Sequence, residues 1–142
     1  MILVDTNVLL DVLAKREPFY ASAAAVWSAV ESGTMAGYIS AISFNNTYYI
    51  MRKYGGEPEA RKAIVALRDI FAVVPLDARI LNQSIDSALR DFEDAIQLHS
   101  AVRAGARYLV TRNPSHFATD VLAVVSPDEY LAVVRVADGP VE

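Results

Sequence analysis

The 142-residue sequence predicts a single α/β domain whose mainly parallel sheet is covered by helices on both faces. Three observations carry that expectation. Short apolar runs rich in β-branched or aromatic residues alternate with longer stretches of helical periodicity. Turn signals recur at short intervals, at Ser32-Gly33, Gly55-Gly56, Gly105 and Asn113-Pro114, with no repeat, low-complexity tract or long linker between them. The length suits one domain, which at this size buries roughly two-thirds of the surface of its unfolded chain.

The elements follow in order. Ile2–Val4 reads as a buried strand, and Asn7–Lys15 and Phe19–Glu31 as helices. In the second helix Phe19, Ala23, Val26, Trp27 and Val30 recur at the three- and four-residue spacing of one buried face. Ala36–Ser40 is the next strand. Ser43–Tyr54 and Glu57–Ile70 are helical, separated by the two glycines, with Pro58 where a first turn tolerates proline. Phe71–Val74 is a third strand, Asp77–Arg90 and Glu93–Ala104 are helices, and Tyr108–Val110 and Leu122–Val125 complete the sheet. Gly33 and Gly105 stand where a left-handed residue ends a helix.

Composition excludes several classes. Hydrophobic residues make up 54% and charged residues 21%, too apolar for disorder, so self-association is expected to cover part of the surface. The longest apolar runs, such as Ala23–Trp27, fall far short of the ~20 residues of a bilayer span. With no cysteine, disulfides, thiolate-bound zinc and a cysteine nucleophile are excluded, and with no leader-like opening the cytoplasm is the expected location. Thirteen basic against seventeen acidic side chains leave a net charge of −4, so a nucleic-acid role would rest on a local basic rim or on metal ions.

In parallel sheets ligands bind beyond the carboxyl ends of the strands. The polar residues there are Asp5-Thr6-Asn7, then Ser40, Ser43 and Asn46, then Thr111, Arg112 and Asn113. A carboxylate directly after a buried strand is costly unless paired, although Asp5 also suits a helix cap. Asp91-Phe92-Glu93-Asp94 opens a helix; Asp91 and Asp94, three apart, share a face there, and Glu93 is expected to point elsewhere. This pair too reads as a cap, with Asp94 at the third helical position. Joint placement of Asp5 and this helix start at one sheet edge would suit Mg²⁺ or Mn²⁺.

Four segments carry a resemblance. Asp5-Thr6-Asn7-Val8-Leu9-Leu10-Asp11 followed by Arg16-Glu17-Pro18, Ile39-Ser40-x-x-Ser43-x-x-Asn46, Asp91-Phe92-Glu93-Asp94-Ala95 and Leu109-Val110-Thr111-Arg112-Asn113-x-x-His116-Phe117 together resemble the PIN-domain family. Many bacterial members of that family are VapC-like toxins of toxin–antitoxin pairs. The resemblance spans roughly residues 1–130, in order and spacing, and implies one PIN-like domain over 1–134, a C-terminal tail over 135–142 and a three-layer α/β/α fold. It implies a metal-dependent endoribonuclease using Mg²⁺ or Mn²⁺, with RNA as substrate and an antitoxin as partner.

By the same resemblance Asp5 and Asp94 are the principal metal ligands and Asp91 an additional carboxylate. Thr6, Ser40, Ser43, Thr111, Arg112 and His116 become substrate-contact candidates. Asn46 and Asn113 stand where the family usually carries acids; an amide oxygen can ligate a hard cation but brings no charge. They are expected to orient water or the scissile phosphate, with metal affinity weakened.

Two other classes compete. A phosphotransferase with Asp5 as nucleophile would need a second acid where Asn7 stands, and no glycine-rich phosphate loop follows the first strand. A PIN-like module that has lost cleavage and binds RNA or a protein is motivated by the two asparagines. Arg52-Lys53 and Arg61-Lys62 offer a basic rim or a solvated helix tip. The apolar Leu9, Leu10, Val12 and Leu13 suggest either a homodimer or antitoxin surface, or a helix buried within the fold.

Overall fold

The computed structural model describes residues 1–138, with side chains through Arg135. Five parallel strands form one sheet: β1 (Ile2–Val4), β2 (Gly37–Ser40), β3 (Ala72–Val74), β4 (Tyr108–Val110) and β5 (Ala123–Val125), in the order β3-β2-β1-β4-β5. The helices are α1 (Thr6–Leu13), α2 (Tyr20–Glu31), α3 (Ile42–Ile70), α4 (Ala78–Ile85), α5 (Phe92–Ala104) and α6 (Pro127–Asp138). A 3₁₀ turn, Pro114–His116, follows β4.

The strands are apolar at nearly every position because both faces are covered, and alternation along each strand sorts its side chains between two cores. Ile2, Val4, Ile39 and Val110 pack with Val8 and Leu9 of α1, Ala23, Val26 and Val30 of α2, Leu67 of α3 and Tyr130 of α6. Leu3, Val74 and Leu109 point the other way, onto Ile80 of α4 and Ile96, Leu98 and Ala101 of α5. The result is the expected three-layer α/β/α arrangement. No helix among the described residues is long and apolar enough to cross a membrane.

Several boundaries differ from expectation for local reasons. The two helices expected on either side of Gly55-Gly56 run as α3, whose path breaks at Gly56, at φ +82°. Helix α4 ends at Ile85 rather than Arg90, where the Ser87 amide tightens onto the Ser84 carbonyl at 3.3 Å and the Leu89 amide donates to Ser87 Oγ at 3.2 Å instead of continuing the turn. The freed segment becomes a wall beside the site. Helix α6 was not anticipated at all; it buries Tyr130 against Tyr108, and the boundary drawn at 134 falls inside it, while residues 139–142 lie outside those described. Leu9 and Leu10 of α1 are buried and Val12 and Leu13 pack against the cores, so these four do not form a free docking face.

Gly37 opens β2 against α2, where an added Cβ would lie 2.6 and 2.7 Å from the two Val30 methyl carbons and 3.2 Å from the Phe71 ring. Gly37→Ala therefore overpacks the core and should lower stability by about 1–3 kcal/mol. Urea denaturation checks this; an unchanged midpoint would show that Val30 yields without cost.

Candidate active site

The sheet's connections change direction between β1 and β4: the chain leaves β1 towards β2 and β3 and returns through α4 and α5 to β4. The carboxyl ends of β1 and β4 thus border the crevice where such sheets bind ligands. The Asp5 amide donates to the Val110 carbonyl at 2.9 Å, setting Asp5 and Thr111 side by side.

Asp5 precedes α1 at the cap position but does not act as a side-chain cap. Its carboxylate is 5% exposed and accepts a 2.8 Å hydrogen bond from Thr111 Oγ1. Burial pushes its pKa up to about 7, against the lowering effect of Thr111, and the nearby charges of Asp94 and Glu93 push the same way. Asp94, half-buried on the first turn of α5, is pushed up to about 6 by burial and by Asp91, while His116 pulls it down and Glu93 adds to the rise. Two acids at one sheet edge are therefore reluctant to ionise together. A hard cation removes that conflict, which makes Asp5 and Asp94 suited to one.

The other candidates separate. Asp91 caps α5, its Oδ1 accepting from the Asp94 amide at 2.9 Å. Glu93 does not point elsewhere: Asn46 Nδ2 donates to its Oε1 at 2.6 Å, joining α3 to α5 beside the acids. No three or more His, Cys, Asp or Glu side chains gather closely enough to hold a metal ion among the described residues. The expected three-carboxylate set of Asp5, Asp91 and Asp94 is therefore not preassembled.

Thr6, Ser40, Ser43 and Thr111 are buried and bonded within the fold. Thr6 Oγ1 and Ser43 Oγ share a 2.7 Å bond and both accept from Gln97 Nε2, at 3.1 and 3.3 Å, which pins α1, α3 and α5 together beneath the site. Ser40 Oγ accepts from the Ile42 amide at the start of α3. Asn113 sits at the head of the 3₁₀ turn, its amide turned back to Thr111 Oγ1 at 3.4 Å. His116 is exposed and near Asp94.

Arg112 is likewise no free phosphate contact. Both its Nε and its Nη2 donate to the carboxylate of Asp11, which is 1% exposed, and its guanidinium lies 4.2 Å from the centre of the Phe19 ring. Asn7 reinforces the same joint, donating to Thr111 Oγ1 at 3.3 Å and accepting from the Arg112 amide at 3.2 Å. The residue that argued against a phosphotransferase is thus a brace between α1 and the loop after β4. Arg61 and Lys62 pair with Glu57 and Glu59 on the exposed surface, the solvated alternative for that helix tip.

A family model described as PIN domain matches residues 1–115. The chain belongs to the PIN-domain family. No curated protein sequence matches it. Among solved structures, this PIN domain is similar to a toxin–antitoxin complex from Klebsiella pneumoniae at 29% identity and TM-score 0.65, covering 89% of this chain and 98% of that one. VapC20 of Mycobacterium tuberculosis, a toxin that cleaves the sarcin-ricin loop, aligns at 18% identity and TM-score 0.63, covering 77% and 87%. VapBC2 from Rickettsia felis, bound to promoter DNA, aligns at 17% and TM-score 0.67, covering 87% and 97%. At these last two identities the likeness is one of fold.

Sequence reasoning missed Asp11, Glu93 and Gln97 in this PIN domain. Asp11 and Gln97 carried a usable signal, each being a polar residue on the apolar stripe of its helix; Glu93 carried none, since its partner lies 47 residues away.

Two outcomes follow. Asp5 binds its proton more tightly in the folded chain than its ordinary value of 3.8 allows in the unfolded one, so its stabilising contribution is complete below about pH 4 and is lost as pH rises through about 7. Thermal melts of the metal-free protein should accordingly show wild type losing stability relative to Asp5→Asn over that window; parallel curves would contradict the burial of a strained acid. Arg112→Ala strands the buried Asp11 carboxylate and should cost about 3 kcal/mol by chemical denaturation, with a loss under about 1 kcal/mol arguing against the pair.

Proposed function

We propose that this PIN domain is a metal-dependent endoribonuclease that hydrolyses RNA phosphodiester bonds as the toxin of a toxin–antitoxin pair. The observation that carries the reading is the pair of raised carboxylates, Asp5 and Asp94, at the switch point of the sheet. Family membership supports nuclease chemistry, and the solved toxin–antitoxin neighbour at 29% identity supports an antitoxin partner. In this reading the protein acts in the cytoplasm and pairs with a second copy of itself.

Asp5 and Asp94 would hold Mg²⁺ or Mn²⁺, with Asp91 or Glu93 reaching it through water. Such an ion lowers the pKa of a bound water and offsets charge on the phosphate. Thr111 fixes the direction of the Asp5 carboxylate, and the Thr6–Ser43–Gln97 network fixes the spacing of the helices that carry the acids. Asn46 holds Glu93 at the rim, and His116 lies near enough to Asp94 to lower its pKa. The thin acid set favours one ion over two, and a preference for Mn²⁺. That same set supports a second reading, a module that binds RNA or a partner without cleaving.

A mixed pool of single-stranded and hairpin RNAs, incubated with Mg²⁺, Mn²⁺ or EDTA, separates the two. Cleavage should require metal and fall about a hundredfold or more in Asp5→Asn. Mn²⁺ should raise the melting temperature of wild type and leave Asp94→Asn unmoved. Cleavage that survives EDTA or Asp5→Asn overturns the nuclease assignment; a Mn²⁺ shift without cleavage selects the binding module.

A further inference from the structure

The early end of α4 leaves Ala88–Arg90 as a wall facing the 3₁₀ turn after β4. Between them lies a cavity of about 540 Å³, lined by the carboxylates of Asp91 and Asp94, by Arg90, Ser115 and His116, and by Leu89 and Ala118. It is within the size range of small-ligand sites. Its wall includes Asp94 itself, so it is continuous with the carboxylates, whereas Glu93 is turned towards Asn46.

The lining is chemically mixed in a specific way. One wall brings a guanidinium, Arg90, and the other an imidazole, His116; both planar groups are exposed, and His116 lies near enough to Asp94 to lower its pKa. Leu89 and Ala118 supply apolar surface, and Ser115 a hydroxyl. Unstacked RNA bases are recognised by stacking on histidine or arginine planes with hydrogen bonds to their edges, and a guanidinium also neutralises phosphate. A dry apolar ligand would leave these groups without purpose, and an anion alone would not use the apolar walls beside two carboxylates.

We propose that this cavity is a nucleotide subsite, which takes one unstacked ribonucleotide of single-stranded RNA adjoining the phosphate at Asp94. The proposal rests on the ribonuclease reading for its neighbour, but the subsite is a matter of binding and is tested as such. Arg90 receives phosphate or stacks on the base, His116 closes the opposite side, and Ser115 reads the base edge. Double-stranded RNA, whose bases stay stacked, does not enter.

The test is fluorescence anisotropy with the full chain in an Asp5→Asn background, which removes the proposed chemistry, using labelled single-stranded RNA of mixed sequence and a fully paired RNA of equal length. Single-stranded RNA should bind more tightly than paired RNA. Arg90→Ala, which removes the guanidinium, and Ala118→Trp, which fills the cavity, should each weaken that binding about tenfold. In the Asp5 protein both variants should keep the wild-type Mn²⁺ shift in melting temperature, which reports the acids and the fold. No single-strand binding by the parent, or wild-type affinity in both variants, overturns the subsite even if metal-dependent cleavage is found. Weakened binding in both variants of a protein that cleaves nothing upholds the subsite and retires the nuclease reading instead.

Discussion

A carboxylate buried at the end of a central strand is the constraint around which this molecule is arranged. Asp5 follows β1, the middle strand of five, so neither sheet edge nor solvent is available to relieve it. Among the described residues its side-chain hydrogen bond comes from Thr111, which is correctly placed only if β4 lies in register beside β1. That register is fixed in turn by the Asn7 and Asp11 contacts to the loop after β4. Each successive partner is itself a wholly or partly buried polar group in need of one, so the requirement spreads from Asp5 through Thr111 and Asn7 to the ion pair of Asp11 and Arg112. An ion pair of this kind adds little net stability over apolar packing, but losing either member is expensive, which makes it a device for holding one geometry.

Below the acids the same logic recurs without charge. Thr6, Ser43 and Gln97 come from three different helices and bond to one another, so α1, α3 and α5 meet at one point. The apolar layers of the fold are tolerant of sliding, since one aliphatic contact resembles the next. A buried hydroxyl or amide is not, because a shift of an ångström leaves it unbonded. The polar contacts beneath the site thus determine where the acids stand, while the cores determine that the helices are there at all.

This division explains what the sequence disclosed. Strand and helix identity, the two-sided burial of the sheet and the convergence of Asp5 with the start of α5 follow from periodicity and from the rule for parallel sheets, and all were legible. So was the break at Gly55-Gly56. The pairing of Arg112 with Asp11 was not, because 101 residues separate them and nothing local distinguishes an arginine that binds phosphate from one that binds a carboxylate. Asp91 illustrates the converse: its cap and its candidate role in the site rest on one side chain, and the geometry provides the cap. Helix α6 was missed although its start was legible: Ser126 and Glu129 cap each other's backbone amides at 3.0 and 3.1 Å, and Pro127 stands at the first helical position.

The order of the strands has a consequence for how the protein comes into being. The central strand is made before its neighbour β4, which follows more than a hundred residues later, so the Asp5–Thr111 bond, with its 106-residue separation, has no counterpart in a chain synthesised only as far as β3. A nascent polypeptide that stops before β4 carries β1 with one edge open and its acid without the Thr111 hydroxyl. The setting of Asp5 is therefore complete only once β4 has been made, and a translation product truncated before it holds the acid without its hydroxyl partner.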